Sequence, residues 1–137
     1  MEMGLDKISE IIEKDRFAAH MGIEFTLIEE GRAVARMPLR EEHDNFMGMV
    51  HGGSIFAVAD AAFSAASNSS GSKAVAVHIA IDYLAAPGDT PCLEAEARLM
   101  TSTGRTGYYE MVVRSAAGDV IAVCHGRVHC TSESITE

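Results

Sequence analysis

The period of apolar positions changes several times along this chain. From Leu5 to Ala19 apolar residues recur near helical spacing, at Leu5, Ile8, Ile11 or Ile12, and Ala18 or Ala19, which predicts an amphipathic helix within residues 1–20. Met21 to Glu29 and Arg32 to Met37 read as two strands turned at Glu30-Gly31, with Pro38 ending the second. Leu39 to Val50 reads as a loop with a short helical turn. Ser54 to Asn68 is rich in Ala and carries Ile55, Phe56, Val58 and Phe63. It is long enough for about four helical turns. It is apolar nearly all round, the mark of a buried helix. Ser69-Ser70-Gly71 ends it, with the glycine as a natural C-cap.

The rest reads as β. Ala74 to Tyr83 alternates Val75, Val77, Ile79, Ile81 and Tyr83 against Ala74, Ala76, His78, Ala80 and Asp82. Cys92 to Met100 alternates Leu93, Ala95, Ala97 and Leu99 against Glu94, Glu96, Arg98 and Met100. Turns at Thr103-Gly104 and Ala117-Gly118-Asp119 lead into Thr106 to Arg114 and Val120 to Cys130, and residues 131–137 read as a frayed tail. The last strand carries Ala122, Cys124, Gly126 and Val128 on one face, small enough for a helix to approach closely. The pattern predicts one α+β domain over residues 1–137, in which the apolar central helix covers an antiparallel sheet.

Composition narrows the function classes. The 137 residues are 47% hydrophobic and 23% charged, ordinary for one globular domain. A net charge of −9 disfavours nucleic acid and anionic membranes as partners, while the eleven Lys and Arg can still build a local anion site. Three cysteines without a CxxC pair fit a reducing compartment; with no visible signal peptide or membrane-length apolar run, a cytoplasmic protein is expected.

The candidate chemistry starts with a single charge. Asp60 is the only acid or base between His51 and Lys73, set in Phe56-Ala57-Val58-Ala59-Asp60-Ala61-Ala62-Phe63. Burying an unpaired carboxylate raises its pKa and costs several kcal/mol, so a merely structural helix would carry Ala or Leu here. The acid is then either a structural Asp that is satisfied or faces a water-filled groove, or a general base or nucleophile whose raised pKa suits its task. Ahead of the helix, His51-Gly52-Gly53 offers backbone N–H groups without side chains to obstruct a ligand. Such donors at a helix N-terminus suit an oxyanion or an anion. Gly52 and Asp60 are eight residues apart, about 12 Å along a helix axis, too far to grip one carbonyl from a single chain. A two-fold-related copy can supply the missing half, so this chemistry predicts a dimer.

At these residues the chain resembles a known family. His43-Asp44-Asn45 and Met49-Val50-His51-Gly52-Gly53-Ser54-Ile55-Phe56-Ala57-Val58-Ala59-Asp60-Ala61-Ala62-Phe63 look like the signature of hot-dog thioesterases of the phenylacetic-acid-degradation (PaaI) type. Asn68-Ser69-Ser70-Gly71 and Ile81-Asp82-Tyr83-Leu84 are similar to that family's helix end and third strand, and the likeness covers about residues 20–131. The resemblance implies a hot-dog fold, a sheet wrapped around a long central helix, with domains joined edge to edge into dimers and often tetramers. It implies hydrolysis of an acyl-CoA thioester with no cofactor beyond the coenzyme A of the substrate. It gives Asp60 the catalytic carboxylate, Gly52 and Gly53 the oxyanion donors, and Asn45 and His51 places beside the thioester. It puts His78, Tyr83, Arg105 and Thr106 among the substrate-binding residues. His78 departs from the family's usual Ser or Thr, and Arg105 stands where the family often has a cation near the nucleotide.

Other motifs weigh less. Cys124-His125-Gly126-Arg127-Val128-His129-Cys130 invites a zinc reading, but on a strand His125 and His129 stand roughly 13 Å apart and cannot share one ion. No metal is therefore expected. Lys73 and Arg127 are further candidate cations, and Met47 and Met49 candidate acyl contacts. The expected function is an acyl-CoA thioesterase acting on a small to medium or aryl acyl group. The rivals are a non-catalytic acyl-CoA-binding protein of the same fold and an acyl-thioester dehydratase or hydratase, with a carrier-protein-linked substrate in place of free CoA as a third option.

Overall fold

The computed structural model describes residues 4–136. Its N-terminal part holds two helices instead of the one predicted, α1 (Leu5–Ile12) and α2 (Arg16–Met21). The break falls at Asp15, whose Oδ1 accepts the Ala18 N–H at 2.9 Å and so caps a new helix. Gly22, at a φ of 73°, ends α2 in the left-handed conformation that glycine adopts without strain. The remainder of the predicted 1–20 helix, residues 1–3, lies outside the described residues.

Next come β1 (Glu24–Glu29), β2 (Arg32–Pro38), a single 3-10 turn (Glu41–His43) and α3 (Gly52–Ser67). Four long strands complete the chain: β3 (Ser72–Tyr83), β4 (Cys92–Thr103), β5 (Thr106–Ser115) and β6 (Val120–Ser134). All six strands form one antiparallel sheet in the order β1-β2-β4-β5-β6-β3. This is the expected hot-dog arrangement, and α3 packs against every strand of the sheet. Among the described residues, no helix is long and apolar enough to cross a membrane.

The core explains why α3 is so rich in alanine. Ala57, Ala59, Ala61, Ala62, Ala65 and Ala66 are buried, and they face Ala33, Ala35, Ala95 and Ala97 of β2 and β4 in one cluster. Small residues on both surfaces let the helix lie close to the sheet. Phe63 is the largest exception. It stands edge-on to Tyr109 with ring centroids 5.6 Å apart, and its ring fills the space left by Gly126 on β6. A Cβ at Gly126 would lie 2.5 Å from Phe63 Cζ.

Three sequence expectations need correction. The β3 alternation does not hold end to end, because the register shifts between Ala76 and His78. One extra residue reverses the faces, so Ala74, Ile79 and Ile81 all pack on the core while Val75 and Val77 are exposed. On β4, Leu99 leaves the core face at a similar shift between Leu99 and Thr101. The frayed tail is instead a continuation of β6 as far as Ser134, where Thr131 Oγ1 donates to Lys73 O and Ile135 N–H to Gly71 O. These bonds offset the polar composition that suggested fraying; Glu137 lies outside the described residues.

The Phe63–Gly126 contact is directly testable. Gly126→Ala should destabilise the protein by about 1–3 kcal/mol, the usual cost of overpacking. Urea unfolding should show a lower midpoint with an unchanged slope.

Candidate active site

The loop before α3 is built to deliver the helix N-terminus in a fixed pose. Asn45 Oδ1 accepts the N–H groups of Met47 at 2.9 Å and Met49 at 3.1 Å, and Asn45 N–H donates to Met49 O at 2.7 Å. The side chain thereby closes the 45–49 turn, the local bonding for which Asn is favoured. Its Nδ2 has no partner among the described residues and is free to donate. Asp44 and Val50 then bridge, and His51 N–H donates to His43 O at 2.8 Å.

His43 anchors this loop from below, a role not foreseen from its sequence position. It is 1% exposed. Nδ1 accepts the Arg40 N–H at 3.1 Å, so the proton sits on Nε2, which donates to Met21 O at 2.7 Å. Its carbonyl also accepts the Ser54 hydroxyl at 2.9 Å. One residue thus ties α2, the loop and the first turn of α3 together. Nothing in the spacing of His43 distinguishes it from an exposed loop histidine.

At the helix start, His51 is the N-cap and its Nδ1 accepts the Gly53 N–H at 2.7 Å. That bond occupies Gly53. The Gly52 N–H has no acceptor among the described residues, and Tyr83 O–H donates to Gly52 O at 3.0 Å. Tyr83 therefore fixes the peptide that follows Gly52 while the preceding N–H stays available. A cavity of about 360 Å³ opens here, lined by Met49, Val50, Gly52, Ile55, Tyr83 and the chain to Pro87. A second, of about 420 Å³, adjoins it and shares Met49, Val50, Ala86 and Pro87. Met47 is exposed and lines neither.

Asp60 stands two turns further along α3, half-buried where its neighbours Ala57, Ala59, Ala61 and Ala62 are buried. It opens into a different cavity, of about 150 Å³, lined by Asp15, Phe17, Ala18, Ala57, Ala61 and Ser64. Burial first, and then the negative charge of Asp15, push its carboxyl above the ordinary aspartate value. Within one chain the structure does not bring Gly52 and Asp60 together, as the helical spacing requires.

The other predicted residues lie away from Gly52. Arg105 lies in the β4–β5 turn with Gly104, and Thr106 opens β5. Thr106 pairs with His129, and His129 with Val75 near the start of β3. Tyr83 ends the same strand, roughly 25 Å away at the usual strand rise. His78 is exposed midway along β3, paired with Arg127 of β6. Lys73 pairs with Glu133 at 3.7 Å, and His125 with Glu110 at 3.6 Å. His125 and His129 do lie on a strand. At the far end of α3, Asn68 replaces the expected glycine cap and clips the helix to β3 by accepting the Ala74 N–H at 2.9 Å.

Comparisons with known proteins agree with this architecture. The model of the thioesterase superfamily matches residues 47–122, from the loop before α3 into β6. The chain is 38% identical over 106 residues to an Archaeoglobus fulgidus protein named as an esterase, covering 77% of this chain and 69% of that one. It is 34% identical over 126 residues to the acyl-coenzyme A thioesterase PaaI of Escherichia coli, covering 90% and 89%. The solved structure of E. coli PaaI, from the phenylacetic acid degradation operon, superposes with a TM-score of 0.88 at 30% identity over 95% of each chain. With the family model matched over residues 47–122 and a 34%-identical relative matched over 90% of the chain, the chain belongs to the thioesterase superfamily.

Proposed function

We propose that this thioester hydrolase cleaves an acyl-CoA to the free acid and coenzyme A, at a site made by two copies of the chain. The observation that carries the reading is the half-buried Asp60 in an apolar helix that begins with an unclaimed Gly52 N–H. The two open into separate cavities, each with half of what the reaction needs.

The Gly52 N–H, at the positive end of α3, donates to the thioester carbonyl oxygen and stabilises the charge that builds there. Asp60 of the other copy takes a proton from water as the water oxygen bonds to the carbonyl carbon. The tetrahedral intermediate then expels the thiolate sulfur, which leaves with the C–S electron pair and is protonated as coenzyme A. Direct attack by Asp60 is the other route, through a mixed anhydride that water opens. Asn45 Nδ2, in the loop that leads into α3, and the His51 ring at the helix N-cap orient the thioester or the water. Gly53 acts indirectly, since its N–H holds the His51 ring in place.

The exposed edge of the sheet supports the two-copy arrangement. β3 is a twelve-residue edge strand with Val75, Val77 and Tyr83 more than half exposed, the kind of edge that isolated proteins avoid. Antiparallel pairing of two such edges about a two-fold axis is self-complementary. It brings the Gly52 end of one copy toward the Arg105 end of its neighbour. Arg105, Arg127 and Lys73 then offer cations to the coenzyme A phosphates, with His78 and Thr106 between. The cavities near Gly52, of about 360 and 420 Å³, suit a small to medium or aryl acyl group.

Two outcomes test this reading. Asp60→Asn should lower thiol release from the best of a panel of acyl-CoAs by 100-fold or more, about 2.7 kcal/mol of transition-state stabilisation. Equal slow rates for both proteins on every substrate would favour a binding protein. In the wild type, kcat/KM should fall on acidification, because Asp60 works only when ionised. Its carboxyl is raised, so the acid limb should lie above the ordinary aspartate value of 3.8 and should be absent from the residual rate of Asp60→Asn.

A further inference from the structure

A second carboxylate shares the Asp60 cavity. Asp15, at the joint of α1 and α2, lines it together with Phe17, Ala18, Ala57, Ala61 and Ser64. Asp15 does not hang free. Its Oδ1 accepts the Ala18 N–H at 2.9 Å and its carbonyl accepts the Ala19 N–H at 3.1 Å. α2 is in turn fixed at both ends: Ala18 is 3% exposed within the core, and Met21 O accepts from the buried His43 ring. The fold therefore holds a negative charge at the mouth of the catalytic cavity at the expense of bringing two like charges close.

Lys14 and Arg16 flank Asp15 in the chain, yet no Lys or Arg is among the residues lining the cavity. Lys14 lines the adjoining cavity, which shares Asp15 and Ser64. From the sheet side, the Cys124 thiol of β6 is pushed up to about 11, by burial first and then by Asp82 and Asp60, and is neutral at ordinary pH. On its own helix Asp60 has only alanines and Ser64 beside it in the cavity.

We infer that Asp15 is a positioning residue for the hydrolysis, whose charge, held by the α2 cap, sets the field in which Asp60 accepts its proton. The inference rests on Asp60 being the catalytic carboxylate. The consequence has two opposite signs. A like charge makes Asp60 harder to ionise but more avid for a proton once ionised. Removing it should move the acid limb to lower pH and at the same time lower the rate on the plateau. A cap that merely holds α2 in place would, when weakened, lower the plateau and leave the limb where it was. Because Asp15 is exposed, its influence is also screened by salt.

Asp15→Asn and Asp15→Ser test this, since both keep a side-chain oxygen for the Ala18 N–H while removing the charge. Two readouts are taken on the full-length protein at low and high ionic strength. One is the pH profile of thiol release; the other is the carbon-13 NMR titration of the Asp60 carboxyl. The expected result is an acid limb and an Asp60 midpoint both at lower pH than in the wild type, with a plateau rate lowered a few-fold. High salt should shrink the difference. Limb and midpoint coinciding with those of the wild type in both variants would overturn the inference. Should either variant fold poorly, the wild-type Asp60 midpoint must still fall as salt is raised, and a salt-independent midpoint counts against Asp15. The NMR readout separates this failure from the other: if Asp60→Asn retained full activity, the catalytic reading would fall while the titration still judged the coupling.

Discussion

An ionised carboxylate costs several kcal/mol when it is taken out of water unpaired, so a helix buried on all sides is a poor place to keep one. α3 keeps one by giving it an opening. The helix packs against every strand of the sheet, while at Asp60 a cavity opens between α3 and α2. Everything else about the site is arranged around that opening. The small residues of β2, β4 and β6 bring the sheet close enough to grip α3 on its other faces. The helix cannot then rotate to give Asp60 full hydration without losing its core contacts.

The two ends of α3 are fixed by different means. At the N-terminus the chain uses hydrogen bonds instead of apolar contacts: Asn45 closes the turn, His43 ties it to α2, His51 occupies Gly53, and Tyr83 holds the Gly52 carbonyl. The sum of these bonds leaves the backbone N–H of Gly52, at the start of α3, without an acceptor among the described residues. At the other end Asn68 ties the helix to β3, the edge strand. The helix that carries Asp60 is thus attached directly to the edge through which a second copy is proposed to join.

Much of this was legible in the sequence because it depends on contrast. A lone acid among alanines and a Gly-Gly before an apolar run stand out, and the residues 43–63 that carry them also carry the family likeness. The close approach of α3 to Gly126 followed from the small residues alternating along β6. What did not follow depends on a single residue changing a local rule. Asp15 breaks a continuous apolar period by capping, and an Asp in a polar stretch signals this only weakly. A one-residue bulge at Ala76–His78 reverses the faces of β3, and no residue type announces it. The role of His43 comes from burial by distant elements, which a linear reading cannot supply.

Mixed oligomers give the most direct test that two chains complete one site. One chain carries Asp60→Asn and the other Gly52→Pro. Proline is tolerated at the first helical position, and the ψ of 138° at His51 suits a residue before proline, so the exchange deletes the Gly52 N–H at little backbone cost. Far-UV circular dichroism of each parent checks that the ring, close to the Tyr83 hydroxyl, is accommodated. Each parent alone should be nearly inactive, whereas an equal mixture refolded together should recover about a quarter of the wild-type rate, since half of randomly paired dimers are hybrids with one intact site of two. A mixture proven to contain hybrids that shows no more activity than its parents would contradict the account.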